Sequence, residues 1–237
     1  MTSRPQARPG ARVRLAWFAV AILALAGCAQ QPPRPAVSDA HRAWEHRQQQ
    51  LSQLVHWDLF GRIGVKNGND AWQGSLSWQQ APKGYTIEVD GPFGQSQFQL
   101  NGGPAGVTLR TANRQQHWAS DPEELLYEQT GLQMPVSGLR YWVLGLPAPA
   151  AQAGPASDRQ LDAQGRLTRF VQGGWEVRIR SYTEVGRFDL PAKVFIRRDD
   201  LDLRLVVDRW RLHTPQGLQT SRAYSFARLA AAGVRGR

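Results

Sequence analysis

The sequence predicts a mainly β protein in which about ten strands form one antiparallel sheet that curls over a few short helices. Three observations lead to this fold class. The 237 residues include 23 glycines and 15 prolines, which favour short elements joined by many turns over a helical bundle. From Trp57 onward, apolar residues tend to recur at every second position, as in half-buried antiparallel strands. The chain is long enough for one hydrophobic core, and too little sequence remains for a second sheet.

The first 27 residues are predicted to be a signal peptide that is removed. Residues 1–14 are basic and contain no acid, and an apolar run follows from Leu15 to Leu25. That run is shorter than the roughly 20 residues that a membrane-spanning helix needs. It ends in Leu-Ala-Gly-Cys at residues 25–28, which resembles the lipobox of bacterial lipoproteins.

Cys28 is therefore predicted to be a lipid anchor that carries an S-diacylglycerol and an N-acyl chain. It is the single cysteine of the chain, so no disulfide and no cysteine metal site is expected. Gram-negative lipoproteins with aspartate in the next position stay in the inner membrane, and Ala29 here points to the periplasmic face of the outer membrane. Residues 28–37 include three prolines and are predicted to be an extended tether.

A domain over residues 38–213 follows, and it opens with an amphipathic helix of about four turns that covers a sheet. Ser38 or Asp39 can cap this helix. Its apolar positions are Ala40, Trp44, Leu51 and Val55.

A meander of strands is predicted next. Strand residues alternate between apolar and polar around Trp78, Ile87 and Phe98. Glycine-containing turns separate these runs at residues 67–69, 82–84, 91–94 and 101–106.

Two short helices interrupt the strands. Ser120–Glu123 form a capping motif with proline in the first turn, and Gly131 ends that helix. Pro135 opens a second helix, which ends at Gly145, and residues 148–157 are predicted to be a loop.

Strands resume at residues 167–171, 175–180, 193–197 and 201–208. The alternation slips at Arg209, which predicts a β-bulge there. Residues 214–237 are basic and without pattern, and are predicted to be a poorly ordered tail.

The net charge of +10 belongs to the two ends of the chain. Four arginines precede residue 28 and six follow Asp208, so that residues 28–208 contain 19 basic and 19 acidic side chains. The body therefore has no basic footprint of the kind found in nucleic-acid binders, and no nucleic-acid partner is expected.

The residues that could support catalysis form no recognisable motif. The five histidines are scattered, and no phosphate-binding loop or serine nucleophile motif occurs. Glu123 and Glu124 lie in a predicted first helical turn, where their negative charges interact favourably with the helix dipole. The chain is predicted to be no enzyme, with no metal site and no cofactor beyond the lipid on Cys28.

Tryptophan is abundant instead, and its placement leaves two alternatives. The four indoles of interest come from the first helix, the meander, the second short helix and a late strand: Trp44, Trp78, Trp142 and Trp175. They either fill a core or line an apolar cavity.

Several short motifs resemble the LolB family of outer-membrane lipoproteins. They are Phe60-Gly61-Arg62-Ile63, Trp78-Gln79-Gln80, the turn at residues 91–95, residues 139–147 and residues 162–167 ahead of Trp175. Each motif is weak alone, but their order and spacing are specific, and the match extends from Cys28 to about Leu212.

The resemblance implies an open half-barrel of about eleven strands with a helical lid over a hydrophobic cavity. That cavity would take the acyl chains of a lipoprotein delivered by the periplasmic carrier LolA, with Trp44, Trp78, Trp142 and Trp175 as lining. Phe93, between Pro92 and Gly94, holds the position of an apolar loop residue that places the cargo among outer-membrane phospholipids. A monomer is expected.

Two other functions remain open at this stage. A structural outer-membrane lipoprotein, or an envelope assembly factor, would have a filled core and no ligand cavity. An envelope hydrolase would need a polar cleft with an essential carboxylate or histidine.

Overall fold

The computed structural model describes residues 37–91 and 96–213, and within them eleven antiparallel strands form one sheet. The strands are β1 (Trp57–Asn67), β2 (Asp70–Ala81), β3 (Gly84–Asp90), β4 (Ser96–Gly103), β5 (Gly106–Thr111), β6 (Gln116–Ala119), β7 (Ser157–Leu161), β8 (Leu167–Gln172), β9 (Trp175–Val185), β10 (Phe188–Arg198) and β11 (Leu201–Leu212). The helices are α1 (Val37–Ser52), α2 (Pro122–Thr130), α3 (Val136–Trp142) and α4 (Ala150–Ala153). The expected open antiparallel sheet with short helices is confirmed.

The sheet consists of two meanders joined at its centre. Its strand order is β6-β5-β4-β3-β2-β1-β11-β10-β9-β8-β7, so every pair is a neighbour in sequence except β1 and β11. The first and last strands of the domain therefore pair along their length, from Trp57 with Leu212 to Asn67 with Leu201. The two sheet edges, β6 and β7, are connected by the segment that contains α2, α3 and α4.

The predicted bulge near Arg209 is confirmed in β11. Phe60 pairs with Arg209 and Gly61 pairs with Val207, which leaves Asp208 as the extra residue. Asp208 forms a salt bridge with Arg62 on the outer face, at 3.0 Å. Because of this shift, Trp210 lies on the buried face of the sheet, together with the leucines earlier in the strand.

Helix α2 ends where the sequence predicts, but its N-cap is Asp121, one residue after the Ser120 that a capping box over Ser120–Glu123 requires. The Asp121 side chain accepts a hydrogen bond from the backbone N–H of Glu124 at 2.8 Å, and Pro122 takes the first helical position. Gly131 ends the helix with φ of 71°, in the left-handed region that favours glycine. Among the described residues, no helix is both long and apolar enough to cross a membrane.

The structure corrects four details of the predicted elements. Val55 lies beyond the end of α1 and is 39% exposed, so it is not part of the buried helix face. The predicted loop at residues 148–157 contains the one-turn helix α4 and the start of β7. Strand β7 is an edge strand with mostly exposed side chains, and therefore shows no apolar alternation. Strands β9 and β10 are longer than predicted because register shifts around Lys193 break the alternation.

Gly61 tests the central strand pair. A Cβ atom on Gly61 would lie 2.2 Å from the backbone oxygen of Val206, beside the bulge. We therefore expect Gly61→Ala to lower the free energy of unfolding by roughly 2–3 kcal/mol, since a rigid backbone atom must move. Gly64 lies on the same strand, and its nearest neighbour would be the Cβ of Arg204 at 3.9 Å. Gly64→Ala should change the free energy of unfolding by less than about 0.5 kcal/mol. Urea titration of both variants measures these changes, and equal effects would contradict this account.

Candidate functional site

An apolar cavity lies between the buried face of the sheet and helices α2 and α3. Its roof comes from α2, α3 and their flanks: Leu126, Met134, Val136, Leu139 and Val143. Its floor comes from strands of both meanders: Ile63, Leu76, Trp78, Ile87, Val89, Phe98, Leu100, Ile196, Leu203 and Leu205. Arg204 is the one charged residue among those that line it.

The cavity is nearly filled. Its volume is about 50 Å³. This space is much too small for an acyl chain, so an acyl chain can enter only if the elements that line the cavity move apart.

Glu123 links the two roof helices. Its carboxylate accepts hydrogen bonds from the backbone N–H of Ser137 at 2.7 Å and from the Ser137 hydroxyl at 3.2 Å. Burial raises the pKa of Glu123, and the two bonds from Ser137 oppose that rise. Two hydrogen bonds from Ser137 to the Glu123 carboxylate therefore join helices α2 and α3.

Gln172 fixes the other end of α3 to the sheet. This side chain is 1% exposed on β8, and its oxygen accepts from Trp142 Nε1 at 3.0 Å and from the backbone N–H of Ala148 at 2.8 Å. Its amide group donates to the backbone oxygens of Ala148 and Gly154, both at 2.8 Å. Four buried polar groups are thus satisfied by one side chain, as buried amides require.

The four tryptophans of the sequence prediction are all buried but do not form one wall. Trp78 lines the apolar cavity. Trp142 and Trp175 lie together, with ring centroids 6.4 Å apart, and line a separate polar cleft. Trp44 lines a third cleft between α1 and β7. Most of the cavity wall is aliphatic. In the sequence, the alternation of apolar and polar residues along the strands identifies the aliphatic residues of the floor.

Two polar clefts lie beside α3, and each shares at least one lining residue with the apolar cavity, Met134 in the first of them. We name them by a charged residue. The Glu123 cleft measures about 610 Å³ and includes Asp121, Glu123, Glu124 and Arg198. The Arg140 cleft measures about 360 Å³ and shares Trp78 and Val136 with the apolar cavity.

Other predicted site residues lie outside the described part of the chain. These are the lipidation residue Cys28 and the loop residues Pro92, Phe93 and Gly94. Within residues 37–91 and 96–213, no group of three or more histidine, cysteine, aspartate or glutamate side chains is arranged to hold a metal ion.

A family profile and several sequence relatives identify the same family. The family profile described as "Outer membrane lipoprotein LolB" matches residues 55–210. A protein of Nitrosococcus oceani named outer-membrane lipoprotein LolB is 40% identical over 84% of this chain and 98% of its own length. Proteins of the same name are 40% identical in Pseudomonas putida, over 80% of this chain and 92% of the relative, and 37% identical in Pseudomonas aeruginosa, over 84% and 97%.

A solved structure supports the fold alone. The crystal structure of a DUF1329 family protein from Desulfovibrio piger aligns with a TM-score of 0.53 and 7% identity. The alignment covers 76% of this chain and 94% of the other.

Gln172→Leu tests whether the buried amide holds α3 in place. Leucine matches the size but leaves the Trp142 indole and the Ala148 and Gly154 backbone groups without their partner. We expect the free energy of unfolding to fall by roughly 2–4 kcal/mol in a urea titration. The control is Gln73→Leu at an exposed position of β2, which should stay within about 0.5 kcal/mol of the parent protein. A Gln172→Leu protein as stable as this control would show that the contacts are dispensable.

Proposed function

The chain belongs to the LolB family of outer-membrane lipoproteins, and from this premise we propose that it receives acylated lipoproteins in the apolar cavity and inserts them into the outer membrane. It acts in lipoprotein localisation at that membrane. The donor would be the periplasmic carrier LolA, and the acceptor would be the phospholipid of the outer membrane. We propose that the protein works as a monomer, held by the lipid on Cys28, and needs no cofactor or catalytic step.

The observation that carries this proposal is the composition of the cavity wall. The floor and the roof of the cavity are aliphatic or aromatic, and the roof belongs to two short helices rather than to the sheet. Such a surface offers acyl chains an environment similar to the bilayer interior. The helices contact the sheet mainly through their own apolar side chains, so that acyl chains can replace those contacts when the helices move.

Transfer without an energy source requires that the cargo be held incompletely. Three acyl chains of roughly fifteen methylenes each, fully buried, would contribute on the order of 35 kcal/mol. Measured non-covalent affinities do not exceed about 20 kcal/mol, and a cargo held so firmly would not leave. An open sheet that covers the chains from one side leaves the bilayer as the better solvent, and the cargo can move to it spontaneously.

A structural lipoprotein or assembly factor with a filled core is the less favoured alternative. The LolB relatives are similar over most of their length, and a core with no binding role has no need of an apolar cavity with a polar cleft beside it.

Leu139 provides a direct test of the cavity. It is half-buried on α3 and lines the cavity, whereas Leu54 is also partly buried against the core but does not line it. In the soluble Cys28→Ala form, Leu139→Gln should weaken binding of a fluorescent triacylated lipopeptide by about fivefold or more, because a polar amide would face the acyl chains.

Leu54→Gln is the matched control and should leave that affinity unchanged. Fluorescence anisotropy measures both. A soluble protein that binds no lipopeptide, or an equal loss in the two variants, would contradict the cavity proposal.

Phe93 is proposed to place the cargo in the membrane. In the sequence Asp90-Gly91-Pro92-Phe93-Gly94-Gln95 it is a large apolar residue among turn-forming residues. An aromatic ring can enter the headgroup boundary, which a charged side chain does only at a cost in free energy. Phe93→Glu should therefore accept cargo from LolA but fail to insert it into liposomes, while Phe93→Leu should do both.

Delivery is measured as the fraction of lipoprotein recovered with floated liposomes. Normal delivery by Phe93→Glu would eliminate this role, and failure to accept cargo would move the residue's role to the cavity.

A further inference from the structure

We propose that the Arg140 cleft binds the ester-linked glycerol head of the acylated cargo, with Trp78 Nε1 donating a hydrogen bond to an ester carbonyl. This inference rests on the proposed function, since it assigns the polar part of the same ligand whose acyl chains enter the cavity. The head is the S-diacylglycerol group predicted for Cys28 itself, which bacterial lipoproteins share.

The first support is an unpartnered donor at the junction of the two spaces. Trp78 is 3% exposed, and its indole Nε1 is buried without a hydrogen-bond partner. A buried polar group without a partner costs about 1–3 kcal/mol, so a ligand that brings an acceptor to Trp78 Nε1 would remove that cost. Trp78 lines both the apolar cavity and the Arg140 cleft, so it lies where a ligand changes from acyl chain to head.

The second support is the size of the cleft and its position beside the cavity. Its volume of about 360 Å³ exceeds that of the closed cavity and is sufficient for a glycerol with two ester groups. Glycines 102, 103 and 106 form part of its wall, so the backbone is accessible on that side. The ring of Tyr85 lies against Gly102, where a Cβ atom would be 2.2 Å from the Tyr85 Cζ.

The third support is the match between donors and acceptors. Besides Trp78, the residues that line the cleft include Tyr85 and Arg140, which carry donors, and no carboxylate side chain lines it. Ser120, Ser137 and Gln152 also line it, and their side chains can donate or accept. Burial raises the pKa of Tyr85, so its hydroxyl remains protonated and able to donate. Ester carbonyls only accept hydrogen bonds, so they fit a wall that offers several donors and no carboxylate. The Glu123 cleft has three acidic residues and does not fit such a head.

The experiment compares two lipopeptides in the soluble Cys28→Ala form. One carries the natural diacyl esters, and the other carries dialkyl ethers of the same length, which lack the two carbonyl oxygens. The measured quantity is the ratio of the two dissociation constants, ether over ester. Trp78→Phe keeps an aromatic ring but removes the indole N–H, and it should lower this ratio by roughly three- to tenfold.

Trp57→Phe is the matched control. Trp57 is fully buried, its Nε1 is also without a partner, and its ring packs 5.3 Å from that of Trp78, but it lines neither the cavity nor the cleft. Its ratio should equal that of the parent. Tyr85→Phe removes a second donor of the cleft. If the Trp78→Phe protein does not fold, Tyr85→Phe is the deciding variant.

The outcomes separate the two proposals. If both lipopeptides bind and Trp78→Phe has the same ratio as the parent, the head-binding site is overturned and the cavity proposal stands. The same holds for Tyr85→Phe if Tyr85→Phe is the deciding variant. A ratio that falls equally in Trp57→Phe also overturns it. A parent protein that binds neither lipopeptide overturns the proposed function, and the head-binding site with it.

Discussion

The pairing of β1 with β11 is the constraint on which the rest of the molecule depends. It brings the two ends of the domain together at the centre of the sheet, so each meander must extend outward and end in a free edge. The chain then has to pass from the edge at β6 to the edge at β7, and antiparallel hairpins offer no short route. Helices α2, α3 and α4 are that passage, and their apolar side chains place them over the buried face.

A cavity wall built from both meanders follows from this arrangement. Ile63 and Leu203 lie on the central pair, while Leu100 and Ile196 come from strands on opposite sides of it. The roof is attached to the sheet differently, through the side chain of Gln172 and through apolar packing, while Glu123 joins the two roof helices to each other. A sheet held by backbone hydrogen bonds does not depend on a roof held by side-chain contacts, so the roof can move without loss of strand pairing. That difference suits a protein that must take up a cargo and release it.

The sequence predicted the strands better than it predicted the site. Alternation identifies the inward residues of β2 and β3 because a two-residue period is a local property, and the slip at Arg209 is visible for the same reason. Strand β7 has no such signal, since its pairing at an edge leaves both faces exposed. The separation of Trp78 from Trp142 depends on strand order and helix position, which no local pattern contains. Gln172 gave no signal either, because its partners are up to thirty residues away.

The contact between an apolar cavity and a polar cleft matches the chemistry of an acylated lipoprotein. Such a cargo is an amphiphile whose acyl chains and ester head are joined within a few bonds, so a site for it needs both surfaces side by side. Trp78 is one of two residues that both surfaces share, and it combines an apolar ring with one N–H donor. A hydrogen bond to the head adds little affinity compared with burial of the chains, but its strength depends on the angle between donor and acceptor. It can therefore set the depth and orientation of the cargo while leaving the chains free to move into the bilayer.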